Sequence, residues 1–422
     1  MKSEAQPRPM GLPHAVFLQR VAGEPATSPQ VRLGQGAFLA LRFVDLLAPD
    51  REPPTPDVFR YQCAATERYC SELSGEGTEA AHLSGIVRAT GEAERLGDTR
   101  ALGPALHAYA LYLEQEAQLE EAQDVLQTLL HVGGDRLAAT DATAALLRLG
   151  RVRRLQTDFD GAERAYADAG RVAAEAGDYQ SVLLSRVGRC NVIFFEGNLP
   201  EAERAWRGVL ADARAGTYRN VAAQAEHGLG NVLYRRGQIH DGAPHLWRAY
   251  ELYEEESNKL RALNDLGVLL LALGDADGAE RALNHVVARD RKGENAANAL
   301  VELMHCMSYR RDRLGFERWR GRCEEQMAEM PANSRADYRL KVGIGLARFG
   351  NFRKAEAELQ SALEIASAHG LHELAFRVER ISNGLRDWES LAECEPVAAA
   401  EPVLRTEALR EVRASLASLV EV

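Results

Sequence analysis

Asn191 and Asn231, forty residues apart, each follow a small residue, Cys190 and Gly230. A carboxamide both donates and accepts, so such a pair could grip either peptide group of an extended chain, or simply satisfy a neighbouring helix. Other chemistry-bearing residues are more scattered. His369, His372 and Glu373 lie together, and His240 and His245 flank a Gly-Ala-Pro step; neither set has the spacing of a metal site. Six arginines fall between Arg310 and Arg322, with Trp319 among them. They could meet phosphate or RNA, or form a solvated helix surface pairing with Asp312 and Glu317. Cys63, Cys70, Cys190, Cys306, Cys323 and Cys394 form no CxxC pair with a matching partner and read as buried thiols of a reducing compartment. The signatures GxxxxGKS/T, GxSxG, HExxH and GxGxxG are all missing, so neither catalysis nor a cofactor is expected.

Residues of these types act only where helices or strands hold them, and the composition favours helices. Of 422 residues, 46% are hydrophobic and 27% charged, enough to bury a core. Aromatics are 6%, while Ala, Leu, Glu and Arg abound, which favours helix over strand. The net charge of −11 disfavours nucleic acid as the main partner. The N-terminus has no apolar core of signal-peptide length, and no run approaches the ~18 apolar residues of a membrane span. These features predict a cytoplasmic protein with no membrane partner. Arg-rich, Lys-poor usage suggests a GC-rich bacterial genome.

Between Leu106 and Ala366 one pattern recurs seven times: a helix with a small residue in its middle, a short turn, and a second helix opening on a small residue with a bulky one four later. The turns are Ala117-Gln118-Leu119, Thr157-Asp158-Phe159, Gly197-Asn198-Leu199, Gly237-Gln238-Ile239, Gly274-Asp275-Ala276, Arg311-Asp312-Arg313 and Gly350-Asn351-Phe352. The second helices open on Ala122, Ala162, Ala202, Gly242, Ala279 and Ala355, and their bulky residues are Leu126, Tyr166, Trp206, Leu246, Leu283 and Leu359. The first helices carry Ala110, Gly150, Cys190, Gly230, Gly267 and Gly343. The sixth repeat departs from the pattern at Met304, Phe316 and Arg320, and could bend the array. Successive repeats are 37 to 40 residues apart. A glycine inside a helix costs ~1 kcal/mol relative to alanine, so its recurrence predicts close helix packing, with the turn residue left-handed and Asn or Asp capping the next helix.

Over roughly residues 100 to 370 this pattern resembles the tetratricopeptide repeats, in a lengthened form similar to kinesin light chains, Leu-Gly-Asn spindle-orientation adaptors and bacterial peptide-pheromone receptors. Longer helices or longer links would explain a period above the usual 34. The resemblance implies an all-α, right-handed α-solenoid of tandem helix-turn-helix repeats, with the first helix of each pair lining a concave groove. The residue after each small site would face that groove: Arg151, Asn191, Asn231, Val268, His305 and Ile344. In the adaptors and kinesin light chains an asparagine there grips a peptide backbone; Asn191 and Asn231 match, and only Asn231 stands in a full Leu229-Gly230-Asn231 triplet. Nearby groove positions would be Arg154, Phe194, Gln224, His227, Tyr234, Arg235, Arg261 and Asn264. They suggest an acidic or mixed extended peptide.

The expected organisation is an irregular segment over 1–57 with a capping helix near 33–47, a degenerate helical repeat over 58–100, the array over 101–370, a capping helix over 371–389, and a linker with a short amphipathic tail helix over 390–422. Leu409, Val412, Leu416, Leu419 and Val420 share one face of that tail. It either docks weakly on the array as a solvated tail, or is a tethered helix that occupies the groove as an autoinhibitor or pairs with a partner helix. Three functions compete: an adaptor holding a partner's peptide or helix, a peptide- or small-ligand-responsive sensor acting through another protein, and an accessory subunit of an enzyme.

Overall fold

The computed structural model describes residues 12–21, 25, 28–290, 294–327, 330–369, 371–389 and 406–419. The linker expected over 390–405, with Cys394, and Val420 of the tail lie outside these. The described residues are helical and turn structure throughout, without strands. The chain forms two compact units, Met1–Gly197 and Asn198–Val422.

The first unit holds α1 (Ala15–Leu18), α2 (Pro29–Val44), α3 (Pro56–Glu72), α4 (Thr78–Leu96), α5 (Leu102–Gln115), α6 (Leu119–Gly133), α7 (Ala139–Leu155), α8 (Phe159–Glu175) and α9 (Tyr179–Phe195). The second holds α10 (Leu199–Ala215), α11 (Arg219–Arg235), α12 (Ile239–Leu252), α13 (Glu256–Ala272), α14 (Ala276–Arg289), α15 (Glu294–Tyr309), α16 (Arg313–Glu325), α17 (Ala332–Arg348), α18 (Phe352–Ala368), α19 (His372–Glu389) and α20 (Glu407–Leu419). Within each unit the helices pack mainly on their sequence neighbours, as tandem hairpins do. Helix α2 packs on α3, α4 and α6, and starts at Pro29 because the Ser28 hydroxyl accepts from the Val31 N–H (3.3 Å) while proline is tolerated in the first turn.

Long helices, not long links, set the period. Helices α8, α9, α10 and α11 each have 17 residues and begin every twenty residues. Thr157 just before α8, and Gly177, Gly197 and Thr217 between these helices, take left-handed backbone, φ 63°, 73°, 87° and 60°. Two such helices with two three-residue turns give a 40-residue repeat. Helices α12 and α14 have 14 residues, which shortens the spacing to 37.

The turn chemistry is visible at Thr157. Its N–H reaches Arg154 O (3.0 Å), and the Asp158 N–H reaches Arg153 O (2.9 Å), satisfying carbonyls that the helix end leaves bare. Side-chain oxygens of Asp158, Asn198, Asp275 and Asp312 accept from the N–H three residues on, at 2.9, 3.3, 3.0 and 2.9 Å. At Asn351 the expected cap bond is not formed.

The helix glycines permit close approach. A Cβ on Gly150 would lie 2.8 Å from the Tyr166 ring; on Gly230, Gly267 and Gly343 it would meet Leu246, Leu283 and Leu359 at 2.6, 2.8 and 2.9 Å. These are the bulky partners the repeat pattern assigns. The irregular sixth repeat still closes as a hairpin: Met304 and Phe316 are fully buried, and the Phe316 ring packs edge-on to Phe349 at 5.3 Å. Several of its arginines are engaged locally. Arg310 pairs with Asp277 and Glu280, Arg320 lies 3.0 Å from Glu317 and 3.3 Å from Glu324, and Arg318 and Arg322 flank Trp319. Asp312, assigned to arginine pairing by the sequence, instead caps α16. Burial pushes the Cys70 thiol up to about 11 and those of Cys190, Cys306 and Cys323 to about 12, so they pack as apolar groups.

Candidate functional site

In the first unit α7 and α9 are the first helices of successive repeats and pack side by side. The Arg154 guanidinium sits over the Phe195 ring, 4.7 Å from its centroid, and hydrogen-bonds Tyr166; burial holds its pKa below the usual arginine value. Phe194 and Phe195 meet edge to face at 5.2 Å, and Phe195 remains exposed. Arg151, exposed, and Arg148 grip Glu114 of α5 at 2.5 and 2.7 Å. Asn191 is half-buried and its amide donates to Val187 O (3.1 Å), one turn back on its own helix.

In the second unit α11 and α13 hold the corresponding register. Asp265 of α13 sits at the centre. Its Oδ2 accepts from His227 Nε2 (2.8 Å) and Asn231 Nδ2 (3.3 Å). His227 Nδ1 lies 3.2 Å from the Tyr253 hydroxyl, which in turn bonds Arg261. One assignment satisfies every group: Arg261 donates to Tyr253 O, the Tyr253 O–H donates to Nδ1, and Nε2–H donates to Asp265. Burial would raise Asp265, but the His227 and Asn231 hydrogen bonds and the nearby Arg261 outweigh it and hold the carboxyl below its usual range. Asn264 is almost wholly buried, with its Oδ1 lacking a hydrogen-bond partner. Gln224, Asn231 and Tyr234 are half-buried, while Arg235 and Arg261 are exposed.

Asn191 and Asn231 therefore share one arrangement, each within its own unit: an amide N–H is spent on the protein, and no hydrogen bond within the described residues occupies the oxygen. The basic trough read from the sequence is partly neutralised by Glu114 and Asp265, which sequence reasoning missed. A carboxylate inside the otherwise apolar Leu266-to-Leu271 neighbourhood of α13 was the available signal for Asp265. Further along, Val268 and Ile344 are half-buried, and the register puts His305 into a different setting. Burial, then Arg348, Lys341 and Arg377, hold its imidazole well below the ordinary value. Beside it Lys341 bridges Glu302 and Asp337, each at 2.5 Å. No cluster of metal-binding character occurs among the described residues, and none of their helices is long and apolar enough to cross a membrane.

A family model described as a tetratricopeptide repeat matches residues 221–292, which span α11 to α14. Several solved structures share the fold. The Rap conjugation gene regulator of plasmid pLS20, in complex with a Phr peptide, superposes with TM-score 0.53 at 10% identity, covering 82% of this chain and 97% of that one. The apo quorum sensor NprR from B. thuringiensis gives 0.52 at 9% identity, covering 82% and 91%. Aspartyl phosphate phosphatase F from Bacillus subtilis gives 0.50 at 14% identity, covering 78% and 93%. No curated protein sequence matches this one.

Proposed function

We propose that this chain, a tetratricopeptide-type repeat protein, is a non-enzymatic adaptor that binds an extended segment of another polypeptide on the face presented by the first helices of its repeats, the concave wall in arrays of this kind. The observation that carries this reading is the Asn231–Asp265–His227 cluster. Asp265 fixes the Asn231 amide and leaves its oxygen to accept a peptide N–H, the group that an extended segment offers along its length. In this unit the exposed Arg235 and Arg261 favour an acidic or mixed segment; in the first unit, taken by itself, Arg151 and the exposed Phe195 beside Asn191 offer charge and apolar contact of the same kind. The cytoplasm, with its reducing conditions, suits the free thiols of the described residues, of which Cys70, Cys190, Cys306 and Cys323 are buried and Cys63, against the sequence expectation, is half-buried.

The test is affinity capture from the native host with wild type beside Asn231→Ala and Asn191→Ala. A partner retained by wild type and lost from either variant, with melting unchanged, supports the reading. A partner retained equally by all three refutes this site. Since one similar fold belongs to a protein named as an aspartyl phosphate phosphatase, the non-enzymatic part is tested by release of phosphate from a phosphoaspartyl protein; turnover above a heat-denatured control would contradict it.

A second reading is a peptide-responsive regulator acting through another protein. It is favoured by two of the similar folds, one named as a gene regulator in complex with a peptide and one as a quorum sensor. Compaction on peptide addition, seen by small-angle scattering, separates it from an adaptor, whose shape would stay constant.

A further inference from the structure

The tail helix α20 leaves the sequential order of the second unit. Instead of packing on α19 it lies against α12 and α14, the second helices of two successive repeats and not the first helices expected to form the groove. Residues 390–405, which include Pro396 and Pro402, connect α19 to α20 in the sequence. Leu409, Val412 and Leu416 are buried there, in one apolar cluster with Trp247 and Tyr250 of α12, and the end of α20 is held by a hydrogen bond between His285 and the Leu419 backbone. One cation accompanies them. Arg413 Nε lies 3.5 Å from Asp275, a carboxylate only 1% exposed, and its Nη2 lies 3.9 Å from Asp277. Asp275 caps the start of α14, so its carboxylate is held in place beside the apolar residues of the seam.

We infer that the seam between α12 and α14 is a docking site for an amphipathic helix of a partner protein that carries one arginine beside its apolar face, and that α20 is its tethered competitor. The ligand pattern is read from the occupant: aliphatic residues at i, i+3 and i+7, as in Leu409, Val412 and Leu416, with an arginine at i+4, as in Arg413. A partner helix must displace a segment held at high effective concentration by its own linker, so the site discriminates against weak ligands. This surface is distinct from the first-helix face proposed above, and the two stand or fall separately.

The probe is a fluorescein-labelled peptide of residues 406–422, added to full-length protein and followed by anisotropy. Wild type should bind it poorly. The full-length Leu409→Asp/Leu416→Asp variant, whose own tail cannot dock, should bind it roughly 10-fold tighter or more. A peptide carrying Arg413→Glu should lose that gain. Equal binding by both proteins, or undiminished binding of the altered peptide, overturns the proposal. Circular dichroism checks the double variant; should it misfold, full-length Arg413→Glu, which keeps every apolar anchor, decides the matter. Its residues 407–419 should exchange amide hydrogens faster than in wild type, and it should bind the unaltered peptide more tightly; unchanged exchange and binding overturn the proposal.

Discussion

At the scale of single residues, the charged groups divide into those that hold the protein together and those left for a ligand. Lys341 is the clearest of the first kind. It is 5% exposed and bridges Glu302 and Asp337, whose charges hold its pKa up against burial. Lys341→Met would strand two carboxylates and should cost about 3 kcal/mol or more in denaturant unfolding; a loss below about 1 kcal/mol would mean that Arg377 and solvent already compensate them. His14, at φ 63°, is clamped between Asp124 (2.5 Å) and Asp45 (3.3 Å), with Arg42 and Arg51 also on Asp45. Burial alone would lower its pKa, but the two carboxylates raise it above 6.5. A group with a raised folded pKa stabilises fully below its unfolded value and loses that contribution as pH rises through the folded one. Stability should therefore show a His14-dependent decline as pH rises above about 6.5, absent in His14→Gln. An identical pH profile for both proteins would contradict the clamp.

At the scale of helices, the period, the turns and the close contacts follow from residues that could be read directly. Thr157, Gly197 and Gly274 mark left-handed turn positions, and Gly230 faces Leu246 as the repeat pattern requires. Gly230→Ala puts the argument at risk. Alanine adds about 1 kcal/mol of helix propensity. Here its Cβ would lie 2.6 Å from Leu246 and 3.2 Å from the Gly242 carbonyl, an overpacking cost of about 1–3 kcal/mol. The variant should melt below wild type, and a higher melting temperature would sink the packing account. The partner groups of the candidate site were less legible. Asp265 lies 34 residues from Asn231, and Glu114 lies 37 from Arg151; neither follows from spacing within one helix. Both arise because successive first helices pack side by side, a tertiary fact that a one-helix pattern does not contain. The seat of α20 was illegible for the same reason: its apolar face announced a contact but not which helices would supply it.

At the scale of the whole chain, the helical hairpins of each unit bury their faces against their neighbours in that unit, so surfaces are free to vary while the packing positions stay fixed. This is why the all-α tandem fold was readable from repeated small and bulky residues, whereas the ligand must be found by binding. The most direct measurement is a calorimetric titration of the captured partner segment into wild type, Asn191→Ala and Asn231→Ala, with thermal melts of each. The account predicts unchanged melting and a loss of roughly 1–3 kcal/mol of binding on removing a carboxamide, from peptide groups left unpaired. Equal affinity for all three proteins, or a variant that unfolds, would show that these amides serve the helices and not a ligand.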